Sequence, residues 1–142
     1  MIRGVILAVA LAFSAGAAQA DDIADRKAAM KAMSTAAKPV AAMVKGKANF
    51  DAAAVKNAFS IIAKNADLSL KLYGPNTAKG KTRAKPAVWE KKADFDGKMK
   101  ALSAAANAAA GKITNLASLK ANFGGVMKNC GGCHKVYRAK KK

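Results

Sequence analysis

Cys130-Gly131-Gly132-Cys133-His134 is the stretch of this chain whose residue types and spacing could do chemistry. Two thiols three positions apart, followed directly by an imidazole, form the pattern by which a porphyrin is attached to protein. The spacing has a mechanical reason. On a helix, positions i, i+3 and i+4 project from one face. Both sulfurs then reach the vinyl groups on one edge of the ring while the imidazole reaches its iron, and the two glycines leave space for the ring edge. The motif implies one covalent haem c, with Cys130 and Cys133 as attachment points and His134 as an axial iron ligand.

Other chemistries fit less well. A zinc site wants four ligands, and these three residues have no further Cys or His to join them. A thiol–disulfide centre would place C-x-x-C beside a βαβ pattern, which is absent. The cysteines are also too close together to staple long loops, so they serve local chemistry. His134 is the only histidine, so no Ser/His/Asp set can form, and a peroxidase would want a distal histidine or arginine. No enzymatic activity is expected. Asp94 and Asp96 stand two apart on a helix, face different ways and are expected to be solvated.

The elements that must position this turn read as helices. The first runs from about Asp22 to Val44, with Ile23, Met30, Met33, Val40 and Met43 on one face. Pro39 should kink or break it near Lys38, and Gly46 should end it. Asp51 is a good N-cap for a second helix reaching about Tyr73, striped by Val55, Phe59, Ile62, Ala66 and Ser69. Residues 74–85 form a polar Gly/Lys/Thr-rich loop, expected to be mobile. Pro86 opens a third helix striped by Val88, Phe95, Met99, Leu102 and Ala106, in which Gly97 could admit a close neighbour. Gly111 closes it. Thr114 or Asn115 caps a fourth helix carrying Leu116, Leu119, Phe123, Val126, Cys130, Cys133 and Tyr137 along one side. Four amphipathic helices with short and medium connections predict an all-α fold, an antiparallel four-helix bundle. Alanine-rich helices are thin, so a large prosthetic group would supply missing apolar volume.

Residues 1–20 read as a secretory signal peptide. Met1 and Arg3 are followed by an apolar stretch from Gly4 to Phe13 and by Ala18-Gln19-Ala20, a small-x-small cleavage pattern. The apolar stretch is too short to span a bilayer. Cleavage after Ala20 would leave residues 21–142 as one haem-binding domain in the periplasm. The chain holds 26 Lys and Arg against 8 Asp and Glu, a net charge of +18. That field attracts acidic redox proteins or an anionic membrane surface. Nucleic acid is disfavoured by the export signal and by an aromatic content of only 6%.

The C-terminal CGGCHKVYRAKKK resembles the end of class II cytochromes c, the cytochrome c-prime family of four-helix bundles. Collinear matches are Arg26-x-x-x-Met30, Lys45-Gly46, Phe50-Asp51 and Pro86-x-x-Trp89, so the resemblance covers essentially residues 22–142. It implies electron transfer through the haem and adds three residue roles. Met30 stands where the family puts the residue over the distal iron face. Arg26 stands where a family arginine approaches a haem propionate. Arg138 matches the family's basic residue beside the proximal histidine. The resemblance leaves two iron states open. In the low-spin branch a first-helix methionine binds iron, and Met30 is the expected ligand here, with Met33 the nearby rival. In the high-spin branch the iron stays five-coordinate and takes nitric oxide or carbon monoxide. Family members are commonly dimeric through their first two helices, although this chain shows no decisive interface stripe.

Overall fold

The computed structural model describes residues 16–75 and 77–140, with side chains in the first helix from Asp22 onward. The leader expected over residues 1–20 lies outside the described residues as far as position 15. Among the described residues five helices form: α1 Gly16–Val44, α2 Ala52–Leu72, α3 Ala87–Glu90, α4 Lys92–Lys112 and α5 Leu116–Tyr137. No described helix is long and apolar enough to cross a membrane.

Local chemistry explains most helix ends. α1 stops in a paired cap: Gly46 N–H donates to Met43 O at 3.0 Å and Lys47 N–H to Ala42 O at 2.8 Å. Gly46 sits at φ 69°, a conformation that glycine adopts without a Cβ penalty. Asp51 accepts from Ala54 N–H at 3.0 Å at the start of α2. Asn115 and Ser118 form a reciprocal capping box at the start of α5, which settles the choice between Thr114 and Asn115. Caps of this kind contribute about 1 kcal/mol each.

Four expectations are corrected. α1 begins at Gly16 rather than near Asp22, because the run Gly16-Ala-Ala-Gln-Ala20 is rich in the best helix former. It also continues through Pro39. Pro39 and Thr35, whose carbonyl loses its usual donor, are both exposed, so water can serve that carbonyl. The third helix is split at Lys91 (φ −119°, ψ 45°) into α3 and α4. Val88 is buried, and the Trp89 indole N–H donates to Gly74 O at 2.9 Å. These contacts hold the short α3 against the connection that precedes it. Gly97 admits no close neighbour, since a Cβ built there would meet nothing within 4 Å.

The stripes read from the sequence face the interior. One core cluster joins Val40, Val55, Phe59, Ile62, Ala106 and Leu119 from all four long helices. A second gathers Tyr73, Val88, Phe95, Met99, Cys133 and Tyr137. Within it the Phe95 ring lies 4.7 Å from Tyr73 and 5.3 Å edge-on from Tyr137, centroid to centroid. Contacts run around the bundle from α1 to α2, α2 to α4 and α4 to α5. α1 and α5 touch each other least of these pairs. The site lies in the space this leaves.

Candidate functional site

Two adjoining cavities open between α1 and α5. The larger, about 450 Å³, is lined by Met30, Met33, Ile62, Met99, Leu102 and Phe123, among others. The smaller, about 330 Å³, takes in Arg26, Tyr73, Arg83, Tyr137 and Arg138. Met30, Ser34, Met99, Cys133 and His134 border both, and Cys130 borders the larger. The last turns of α5 thus bring Cys130, Cys133 and His134 to one hollow, as the helical spacing requires.

Both thiols are free. Burial raises the Cys130 thiol above its ordinary range and pushes that of Cys133 up to about 11. Protonated, half-sheltered thiols are poor redox nucleophiles, which argues against a dithiol centre. Among the described residues no three His, Cys, Asp or Glu groups are arranged to hold a metal ion by themselves. The His134 imidazolium is held below its usual range by burial first, then by Arg138 and Arg83. Its Nδ1 lies 3.2 Å from Arg138 Nη1. The guanidinium can only donate, so this contact makes Nδ1 the acceptor and puts the proton of the neutral ring on Nε2, which must give it up to bind a metal.

Met30 packs against both core clusters while remaining half-buried. Met33 is buried in the first cluster and borders only the larger cavity. Met99, on α4, is a third thioether at the junction and is 3% exposed. The sequence offered it only as core.

Arg26 answers the question of fit. It is buried at 3% exposure and sits 4.5 Å over the Tyr73 ring and 5.4 Å from that of Trp89. Nε donates to Leu72 O at 2.6 Å and Nη1 to Thr77 O at 2.9 Å. Nη2 has no hydrogen-bond partner, with Asp22 only at 4.0 Å. Burial lowers the affinity of this guanidinium for its proton. A buried cation with an orphaned donor on a cavity wall calls for an anion there.

The 74–85 connection, expected to be mobile, is tied at both ends of its course. At Gly80 the backbone takes φ 119°, which favours glycine, and the chain comes down on α1, where a Cβ would sit 2.6 Å from Ile23 Cδ1. Further on it pairs with the end of α5. Ala84 bridges Arg138 in antiparallel fashion, Lys85 N–H donates to Tyr137 O at 2.9 Å, and Ala139 N–H donates to Arg83 O at 2.8 Å. Arg83 Nε and Nη2 both donate to Ala139 O, at 3.0 and 2.7 Å. Asp94 is also more than solvated. It accepts from the buried Tyr137 hydroxyl, and this bond holds its carboxyl below the usual range. Burial, then Asp94, pushes the Tyr137 phenol up to about 12. Asp96 pairs with Lys92 at 2.6 Å.

An all-helical bundle with a C-terminal thiol–imidazole turn facing a slot between its first and last helices defines a c-type cytochrome of the bundle class. Comparisons agree. The sequence model of the family described as Cytochrome C' matches residues 21–138. Cytochrome c' of Rhodopseudomonas palustris is 49% identical over 125 residues, covering 87% of this chain and 86% of that protein. Its solved structure superimposes with a TM-score of 0.83 at 48% identity, over 86% of this chain and 98% of that one. Cytochrome c-556 of the same organism is 33% identical over 148 residues, covering 99% of each. The chain belongs to the cytochrome c' family. It is a haem-binding electron carrier with one covalent haem c as its cofactor.

The residues present fit that group. A haem is an apolar ring with two carboxylates. The two cavities together offer an apolar space, the orphaned Arg26 donor, two protonated thiols and a neutral imidazole.

Proposed function

We propose that this chain carries single electrons in the periplasm, with Cys130 and Cys133 forming thioether bonds to the haem and His134 Nε2 and the Met30 sulfur binding its iron. When bound, the haem supplies a one-electron ferric/ferrous couple. The residues of the chain set the conditions under which it works. The apolar wall of Met33, Ile62, Leu102 and Phe123 excludes water, which keeps solvent reorganisation small. A thioether ligand favours the reduced state and raises the potential. Arg138, beside Nδ1, tunes the basicity of the imidazole from outside the metal shell. Arg26 offers Nη2 to a propionate carboxylate. With His134 bound to iron, no histidine remains for acid–base catalysis.

The observation that carries the Met30 assignment is its position. It borders both cavities together with His134 and packs on both clusters, whereas Met33 belongs to one. The ferric absorption spectrum tests it. Low-spin iron is expected in the wild type and high-spin iron in Met30→Leu, while Met33→Leu and Met99→Leu keep the wild-type spectrum. A high-spin wild type unaltered by Met30→Leu would instead support the five-coordinate reading, with nitric oxide or carbon monoxide as ligand.

We also propose that residues 1–20 direct export and are removed after Ala20. N-terminal sequencing of the exported protein is then expected to begin at Asp21, and a start at Met1 would contradict this. The basic surface is proposed to meet acidic redox partners.

A further inference from the structure

Charge in this bundle is not spread evenly. No acidic residue occurs between Arg26 and Phe50, and none follows Asp96, so α5 has none. Five of the eight acids, Asp51, Asp67, Glu90, Asp94 and Asp96, belong to the α2 and α4 side and its connections, and the other three, Asp21, Asp22 and Asp25, lie in α1 ahead of Arg26. α1 and α5 are also the two helices that border the haem slot. Lys38 and Lys45 line the larger cavity and Lys27, Arg83 and Arg138 the smaller, with no Asp or Glu lining either. All five are exposed. Among the described residues the ion pairs are Arg26–Asp22, Lys92–Asp96 and Lys98–Asp94, and none of the five takes part.

Lys27 and Lys38 on α1 and Lys45, the residue directly after its end, are spaced by 11 and 7 residues, which is close to whole turns. They form one ridge about 27 Å long at the rim of the slot. Resting on the electron-carrier reading above, we propose that this ridge, with Arg83 and Arg138 at its end, is where an acidic redox protein docks. Charge complementarity at the rim brings the partner to the side of the bundle from which the haem is nearest to solvent. The ridge serves a protein rather than a bilayer because its lysine row exposes no large hydrophobic side chain, and Val136 beside Arg138 is a single apolar group at its end. The large hydrophobic side chains exposed among the described residues are Leu68 on α2 and Val136, and a membrane-binding surface sets such groups beside its lysines.

The test uses holoprotein and two triple variants of equal net charge, K27E/K38E/K45E and, on α2, K56E/K64E/K71E. Reduced flavodoxin serves as the acidic one-electron probe. At low ionic strength the α1 variant is expected to react about tenfold or more slowly than wild type and the α2 variant less than about threefold more slowly, with both differences shrinking in salt. Equal losses in the two variants overturn the proposal, since only net charge would then matter. Should the α1 variant lose the wild-type haem spectrum, amide shift mapping of the wild type with oxidised flavodoxin decides. Shifts along residues 27–45 and 134–138 support the surface, and shifts on α2 overturn it. Tight binding to phosphatidylglycerol vesicles that blocks the reaction with flavodoxin would replace the protein partner by a membrane. The electron-carrier reading fails separately, if the wild-type ferric protein cannot be reduced by dithionite and reoxidised.

Discussion

The two halves of the slot share His134 and Met30 but are built on opposite principles. The larger is hydrocarbon and thioether, shaped by the phase of side chains along four helices. The smaller is guanidinium and phenol, held by hydrogen bonds between residues far apart in sequence, such as Arg26 to Leu72 and Arg83 to Ala139. A haem has the same division, a flat apolar ring and a charged edge. One slot can therefore orient it without relying on the thioethers alone. The difference also predicts how each half responds to damage. Losses on the apolar side should appear as cavities, and losses on the polar side as unpaired buried groups.

The largest effect is expected on the apolar side. Ile62 is 1% exposed, and Ile62→Ala should cost about 3–4 kcal/mol of holoprotein stability by denaturant titration. A loss below about 1 kcal/mol would mean that the ring, rather than the helix packing, fills this wall. Next comes Arg26→Leu. It leaves Leu72 O and Thr77 O without their charged donor, at about 2–3 kcal/mol, measured in the same titration. It should also shift the reduction potential, which Ile62→Ala should alter less.

Tyr137→Phe acts through pH. Asp94 is depressed chiefly by the Tyr137 bond. It therefore contributes stability above the ordinary carboxylate range that is lost as pH falls through its lowered folded value. The phenol, raised to about 12, contributes stability that is full below its ordinary value and is lost as pH rises toward 12. Tyr137→Phe should flatten both edges of the stability–pH curve, and an unchanged acid edge would show that the Asp94 bond is not formed in solution. The smallest effect belongs to Met33→Leu, a volume-conserving change expected to stay within about 1 kcal/mol and to leave the ferric spectrum as it is.

How much of this was legible in the sequence follows the same division. Periodicity sufficed for the apolar half because it is a product of helix phase. Val55, Phe59, Ile62, Met99 and Leu102 all face inward as spaced, and Phe123 and Cys130 stay only half-buried because the slot lies beside them. The C-x-x-C-H turn carried the cofactor because its chemistry depends on spacing within one turn. Arg26 and Arg138 came from the family resemblance alone. Arg83, Asp94 and the Trp89 to Gly74 bond carried no signal, since each matters through a partner 15 or more residues away that only the folded chain brings close. The loop from 74 to 85 departs from its expected mobility for the same reason. Its composition is that of a free loop, yet backbone bonds to the end of α5 fix it. The spacing of Met99 marks it as core, and only the folded chain shows that it also borders the slot.

The central claim is that one turn of α5 carries the haem through both sulfurs. Tryptic digestion of exported holoprotein should release the segment Asn129–Lys135, and its mass under denaturing conditions is the direct test. The account requires that peptide to carry one haem bound through Cys130 and Cys133. Recovery of the same peptide with free thiols or an internal disulfide, from protein made in a maturation-competent host, would contradict it.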